Sequence, residues 1–275
     1  MFRANHNNKK DMIFQYMSDL HIENNMNKPL PFVKKVDENV VGCLILAGDI
    51  GDPNTKQFWN FIKQECDEFD VVLFVCGNHE FYGKSIKQTL DFFKDMKQHM
   101  RLTNFFVLDN DVFEFDNCSV IGSTLWTYTP SEAINEVLSC INDYKFIEDF
   151  KTKNEDGVNK RNDAWFQNAC FIQKQIENIK KTKPSNHKII VVTHHAPELE
   201  NTSHPRYVNN ILNCNFACDL RLIVNKVDHW IFGHTHFNGM NGNPGTFRTK
   251  LKSNQVGYHW DRPLKFFDIY KHFRI

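Results

Sequence analysis

The chain has 275 residues, with 33 basic and 33 acidic side chains and no formal net charge. That balance excludes the basic footprint of a dedicated nucleic-acid binder. A hydrophobic share of 41 %, including 25 phenylalanines, supplies a substantial core for one large domain or two small ones.

In chain order, residues 1–10 are polar and charged and read as a loose tail, with no apolar h-region of a secretory signal. "MIFQYM" (Met12 to Met17), "VVGCLILAG" (Val40 to Gly48) and "VVLFVCG" (Val71 to Gly77) are continuous apolar runs, as strands covered on both faces are. Between the last two, Phe58, Phe61, Ile62, Cys66 and Phe69 recur at helical spacing, with Asn54 or Thr55 as the cap. A second helix is expected from Ser85 to Met100, then a strand in "NCSVIGSTLW" and a polar helical middle over Ser131 to Lys181. Its basic end, Lys180 to Lys183, reads as a solvated helix terminus. "KIIVVTHHAP" is a strand, "FACDLRLIV" a helix and "VDHWIFGHTH" a strand, with His229 as a core histidine. "SNQVGYHW" and "LKFFDIY" close the chain as strands. Strands alternating with helices, without repeat or linker, predict one α/β domain over residues 11–275.

Eight cysteines, Cys43, Cys66, Cys76, Cys118, Cys140, Cys170, Cys214 and Cys218, mostly sit in apolar runs and form no CxxC pair. They read as small buried hydrophobes rather than a disulfide framework or a thiolate zinc site. No apolar stretch reaches membrane-spanning length, so the expectation is a cytoplasmic protein in a reducing compartment.

Each strong strand ends in polar residues: "SDLH", "AGDIGD", "CGNHE", "THHAP" and "FGHTH". Singly, each is explained by turn chemistry, since Asp and Asn are ordinary turn residues. Jointly, they put Asp19, His21, Asp49, Asn78, His79, His194, His234 and His236 at the carboxyl ends of strands, where α/β sheets bind ligands. Carboxylate, amide and imidazole suit divalent ions, and two such ions about 3.5–4 Å apart clamp a phosphoryl group for in-line displacement. In "FGHTH", alternate residues of an extended segment point the same way, so His234 and His236 would face the site and Thr235 would turn away. Gly233 would allow tight packing there, with Phe232 and Phe237 as walls or core.

The ordered set Asp19-Leu20-His21, Gly48-Asp49, Gly77-Asn78-His79-Glu80, His194 and Gly233-His234-Thr235-His236 resembles the calcineurin-like metallophosphoesterase superfamily. "GSTLW", "INDYKFI" and "VTHHAP" more loosely resemble a branch of single-domain members. The resemblance implies a fold of two packed mixed sheets flanked by helices, a four-layer αββα sandwich. It implies one divalent ion on Asp19, His21, Asp49 and His236, and a second on Asp49, Asn78, His194 and His234, with Asp49 bridging. The ions would be Mn, Fe, Zn or Ni. A metal-bridging hydroxide would attack phosphorus in line, and His79 would assist the leaving oxygen. In the protein-phosphatase branch an acidic residue spaced like Asp52 pairs with the catalytic histidine, so Asp52 is the candidate to orient His79.

His195 reads as a neighbour lining the site, and Asn142 and Asp143 are open between a pocket role and none. "GDIGDPN" lacks the DRG of the protein-phosphatase branch, and a small phosphomonoester or nucleotide-type phosphoester fits the neutral charge. A phosphodiesterase or nuclease of the same fold is the alternative. A non-catalytic scaffold would require missing ligands, and every position is filled.

Overall fold

The strands of the chain assemble into two sheets in a computed structural model that describes residues 2–3, 12–24, 34–37, 40–151, 154–239, 251–258 and 266–275. The five-stranded sheet runs in the order β11 (His272–Arg274), β2 (Met12–Met17), β3 (Val41–Leu46), β4 (Val71–Phe74), β5 (Phe105–Val107). The six-stranded sheet runs β1 (Phe2–Arg3), β6 (Asp111–Glu114), β7 (Cys118–Ser123), β8 (Lys188–Thr193), β9 (His229–Ile231), β10 (Leu251–Lys252). Both are mixed: β2 to β5 are parallel with β11 antiparallel, and β7 to β10 are parallel with β6 antiparallel to β7.

The continuous apolar strands are explained by the layers. In β3, Leu44 and Leu46 face an outer core with the helices, while Cys43 and Ile45 face the second sheet. In β4, Val72 and Phe74 point outward and Val71 and Leu73 inward. In β8, Ile190 and Val192 meet the first sheet, and Ile189 and Val191 pack outward under a third cluster. With period-two alternation and cover on both sides, nearly every position is apolar, and the buried Gln15 of β2 is satisfied by the Lys34 carbonyl and the Val36 N–H.

Helices α1 (Lys56–Glu68) and α2 (Ile86–His99) bury Phe58, Trp59, Ile62 and Phe93 on the outer face of the five-stranded sheet. Thr55 caps α1, its hydroxyl accepting from the Phe58 N–H, and Ser85 and Gln88 form a reciprocal capping box on α2. The polar middle divides into α3 (Ile134–Cys140), α4 (Asp143–Phe146) and α5 (Asp156–Thr182). Ile172, Ile176 and Ile179 of α5 cover the outer face of the six-stranded sheet. Among the described residues, no helix is long and apolar enough to cross a membrane.

Local expectations differ in several places. The tail is not loose throughout, because the backbone of β1 extends the six-stranded sheet beside β6. Residues 4–10 lie outside the described residues. "FACDLRLIV" is helical only over α6 (Arg221–Val224), because the backbone from Ala217 to Leu220 bonds instead to Ala196 and Pro197. Among the described residues, "SNQVGYHW" pairs as strand only at Gln255, with Ser18, and His259 and Trp260 lie outside them; Asn254 and Gln255 bond backbone carbonyls of Tyr16, Asp268 and Phe237 through their side chains. The C-terminal strand is β11, beyond "LKFFDIY", whose Phe266 to Tyr270 are irregular. His229 is half-buried against Phe273 rather than enclosed in the core.

Candidate active site

The ends of β2, β3 and β4 meet those of β8 and β9 at one edge of the sandwich. Sharp backbone turns aim the side chains there. Asp19 (φ 56°), His21 (φ 43°), Asp49 (φ 53°), His234 (φ 69°) and His236 (φ 49°) all occupy the left-handed region. Such residues cost of order 1–3 kcal/mol each and persist only where the surroundings enforce them. Here the Asp19 N–H donates to the Gly48 carbonyl, the His21 N–H to the Asp49 carbonyl, and the His234 N–H to the Asp19 carboxylate at 2.9 Å. The alternation argument for His234 and His236 therefore fails. β9 ends at Ile231, and a left-handed loop turns both imidazoles inward, while Thr235, whose hydroxyl accepts from the Gln255 amide, lines the same cavity.

Glycine is demanded where the strand ends converge. A Cβ on Gly77 would stand 2.1 Å from Asp49 Oδ1 and 2.6 Å from the Asp49 backbone nitrogen. One on Gly233 would stand 2.6 Å from Asp19 Oδ2.

Two donor sets result. Asp19, His21 and His236 offer ligand atoms within 4.8 Å of one another, as do Asp49, His194 and His234. His21 Nε2 lies 3.1 Å from His236 Nε2, and His194 Nε2 lies 3.1 Å from His234 Nδ1 and from Asn78 Oδ1. Asp49 Oδ2 stands between the sets, 3.8 Å from His21 Nε2 and 3.4 Å from His194 Nε2. Burial pushes the Asp49 carboxyl upward, but His194, His79 and His21 outweigh it and hold it well below its ordinary value. A third group, His21, Glu23 and His79, was not anticipated.

Behind these side chains lies a buried polar layer that the sequence did not reveal. The Asn78 amide nitrogen donates to Asp143 Oδ1 at 2.8 Å and to the Tyr82 hydroxyl at 3.1 Å, which leaves its carbonyl oxygen facing His194. Asp143 is buried 3.6 Å from the fully buried Arg161 guanidinium, which also donates to Thr127 and Asn215. Asn142 lines the cavity beside it. His195 belongs to this layer. Its Nδ1 faces the Thr124 carbonyl at 3.2 Å, so its Nε2 lone pair turns to Arg161 at 3.3 Å. Burial, then His234 and Arg161, hold its pKa well below the usual imidazole range. His194 Nδ1 faces the Ala47 carbonyl at 2.9 Å, which aims its Nε2 at the ligand cluster. Glu80 accepts backbone N–H bonds from Asp49, Ile50, Gly51 and Gly77, tying the β3 and β4 ends together.

His79 is half-buried, with its ring 4.5 Å from that of Tyr82 and its backbone N–H on Asp49 Oδ1. Burial lowers its pKa, outweighing Asp49. Asp52 does not orient it: the Asp52 carboxylate binds the backbone and side chain of Asn54, as a turn residue does. The group at His79 Nε2 is the Tyr258 hydroxyl, at 3.0 Å. The site opens into a cavity of about 540 Å³ whose outer wall includes Arg206, Tyr207, Phe216 and Phe237.

A family model described as Calcineurin-like phosphoesterase matches residues 15–238. An uncharacterised protein of Acanthamoeba polyphaga mimivirus is 31 % identical over 284 residues, 94 % of this chain and 96 % of that protein. Among solved structures, the phosphopantetheinyl hydrolase of Mycobacterium tuberculosis has a similar fold. Its TM-score is 0.64 at 14 % identity, over 97 % of this chain and 96 % of that one. A dimetal phosphatase from Danio rerio gives a TM-score of 0.46 at 14 % identity, over 94 % and 90 % of the two chains.

Proposed function

This chain belongs to the calcineurin-like phosphoesterase family and is a metal-dependent phosphoesterase, and from that premise we propose that it hydrolyses small phosphomonoesters or nucleotide-type phosphoesters at a two-metal centre. The observation that carries the reading is the pair of donor sets on either side of Asp49. Imidazole nitrogens 3.1 Å apart, as in His21–His236 and His194–His234, repel each other through their lone pairs unless a proton or a cation lies between them. Oxygen and imidazole donors without thiolate suit a divalent first-row ion, so the residues fit the group.

Asp19, His21, Asp49 and His236 would hold one ion, and Asp49, Asn78, His194 and His234 the other. Bound there, the ions supply a nucleophile at neutral pH and Lewis acidity toward the phosphoryl oxygens. The chain supplies the rest. The neutral Asn78 amide limits negative charge beside an anionic substrate. His79, on the cavity wall, donates to the leaving oxygen. A cavity of about 540 Å³ falls in the size range of small-molecule sites. Arg206, stacked over Tyr207 with its guanidinium carbon 4.5 Å from the ring centroid, offers a cation to an anionic substrate.

The test is hydrolysis of 4-nitrophenyl phosphate and bis(4-nitrophenyl) phosphate by the purified protein with Mn²⁺, before and after chelation. Activity should vanish on chelation, return with Mn²⁺ and favour the monoester. Metal analysis should give about two equivalents, with His234→Ala and His236→Ala each losing about one. Activity no higher than that of Asp49→Asn with any divalent ion would sink the reading.

A further inference from the structure

A catalytic imidazole must be held in one orientation, because a misplaced ring loses its proton path. The carboxylate expected to hold His79 is turned away: Asp52 is engaged with Asn54. His79 Nε2 stands 3.9 Å from Asp49 Oδ2, beyond a hydrogen bond. What reaches the ring is a phenol. We propose that Tyr258 is the positioning residue for His79: its hydroxyl donates to Nε2, which holds the imidazole on the cavity wall and leaves the Nδ1–H as the proton for the leaving oxygen. This rests on the reading of His79 as the residue that serves the leaving group.

Three features make Tyr258 fit for this. Its backbone is anchored just upstream, the Val256 N–H donating to the Ser18 carbonyl at 3.1 Å and the Gly257 N–H to the Asp19 carbonyl at 2.9 Å. Its ring is stacked on His21, centroids 4.3 Å apart with planes at 27°, and meets His236 edge-on at 4.8 Å. Its hydroxyl is therefore delivered to His79 Nε2, at 3.0 Å, by contacts that do not involve His79. The His79 ring is bounded elsewhere by Tyr82 at 4.5 Å and by His21 at 4.7 Å, so one hydrogen bond from the open side settles its rotation. A phenol adds no negative charge beside an anionic substrate, as a carboxylate would. Both residues line the cavity.

The decisive variant is Tyr258→Phe, which keeps the stacked ring and removes only the hydroxyl. Wild type, Tyr258→Phe, His79→Ala and the double variant are compared on 4-nitrophenyl phosphate, whose leaving group needs little help, and on an alkyl phosphate, whose leaving group needs a proton. Metal content is measured on each preparation. With metal content equal to wild type, Tyr258→Phe should lower kcat on the alkyl ester roughly tenfold to hundredfold, part of the factor a positioned acid contributes. That loss should exceed the loss on the nitrophenyl ester about tenfold, with KM nearly constant. The double variant should lose no more than His79→Ala alone, because Tyr258 acts through His79.

Equal losses on both esters, or losses that multiply in the double variant, would overturn the proposal. The His79 ring nitrogens, followed by ¹⁵N NMR and assigned by their absence in His79→Ala, give a reading that needs no turnover. The Nε2 resonance should shift in Tyr258→Phe, and an unmoved resonance also overturns the proposal. If His79→Ala loses nothing on either ester while that resonance does shift, the leaving-group reading of His79 fails and the pairing with Tyr258 stands.

Discussion

At the scale of single residues, the polar strand ends divide into those that face the site and those that brace it. His194 and His195 are neighbours in sequence, yet His194 Nε2 points at Asn78 and His234 while His195 Nε2 points at Arg161. The division is made by which carbonyl each Nδ1 meets, Ala47 or Thr124. The resemblance separated the two, with His194 a candidate ligand and His195 a neighbour lining the site; the structure sets His195 behind the site, on Arg161. Arg161 is the least legible residue of the site. It lies 34 residues from Thr127 and His195 and 54 from Asn215, in a helix that reads as an ordinary amphipathic one. Its removal exposes the energetics of the buried layer. Arg161→Met leaves the buried Asp143 carboxylate without its cation and strips donors from Thr127 and Asn215. It should destabilise the protein by about 3–5 kcal/mol, read from urea unfolding. A loss under about 1 kcal/mol would mean that water or another group replaces the pair.

At the scale of elements, the strands were legible because a sheet covered on both faces is apolar at nearly every position. The helices α1 and α2 were legible because their caps and periodicity agree. The short strands β5 and β6 and the irregular segment around Gln255 were not legible. Strands of three or four residues carry too little pattern, and the Gln255 segment is held by side-chain bonds of Asn254 and Gln255 to distant carbonyls.

The meeting of β3 and β4 gives a test at this scale. Gly77→Ala would drive a Cβ to 2.1 Å from Asp49 Oδ1 and 2.6 Å from the Asp49 backbone nitrogen. The two strand ends must part, so metal content should fall by about one equivalent or more. Gly83→Ala is the control. Its Cβ would meet nothing within 4 Å, and only its φ of +80° resists. That change should cost about 1 kcal/mol by unfolding and leave metal content intact. Equal metal content in both variants would show that the close approach at Gly77 is not what builds the site.

At the scale of the whole molecule, the candidate ligands straddle two sheets. Asp19, His21, Asp49 and Asn78 follow strands of the five-stranded sheet, and His194, His234 and His236 follow strands of the six-stranded one. Ions held between them would staple the sandwich at one edge. Anything that binds only the native state stabilises it by mass action, about 2.7 kcal/mol at a hundredfold excess over Kd. Chelation should therefore lower Tm in scanning calorimetry, and Mn²⁺ should restore it in a saturable way. Asp49→Asn should blunt the response. Identical melting of the wild type with chelator and with Mn²⁺ would refute the staple.

The sequence by itself determined the class of fold, the order of the blocks and the side-chain types of the candidate ligands, because periodicity and residue chemistry are local and survive in a one-dimensional string. Tertiary structure alone decided that left-handed turns aim the candidate ligands, that Arg161 and Asp143 brace Asn78, and that Tyr258 rather than Asp52 meets His79. Those are contacts between residues up to 179 positions apart. They exist only once two sheets have been packed face to face and their strand ends brought to one edge.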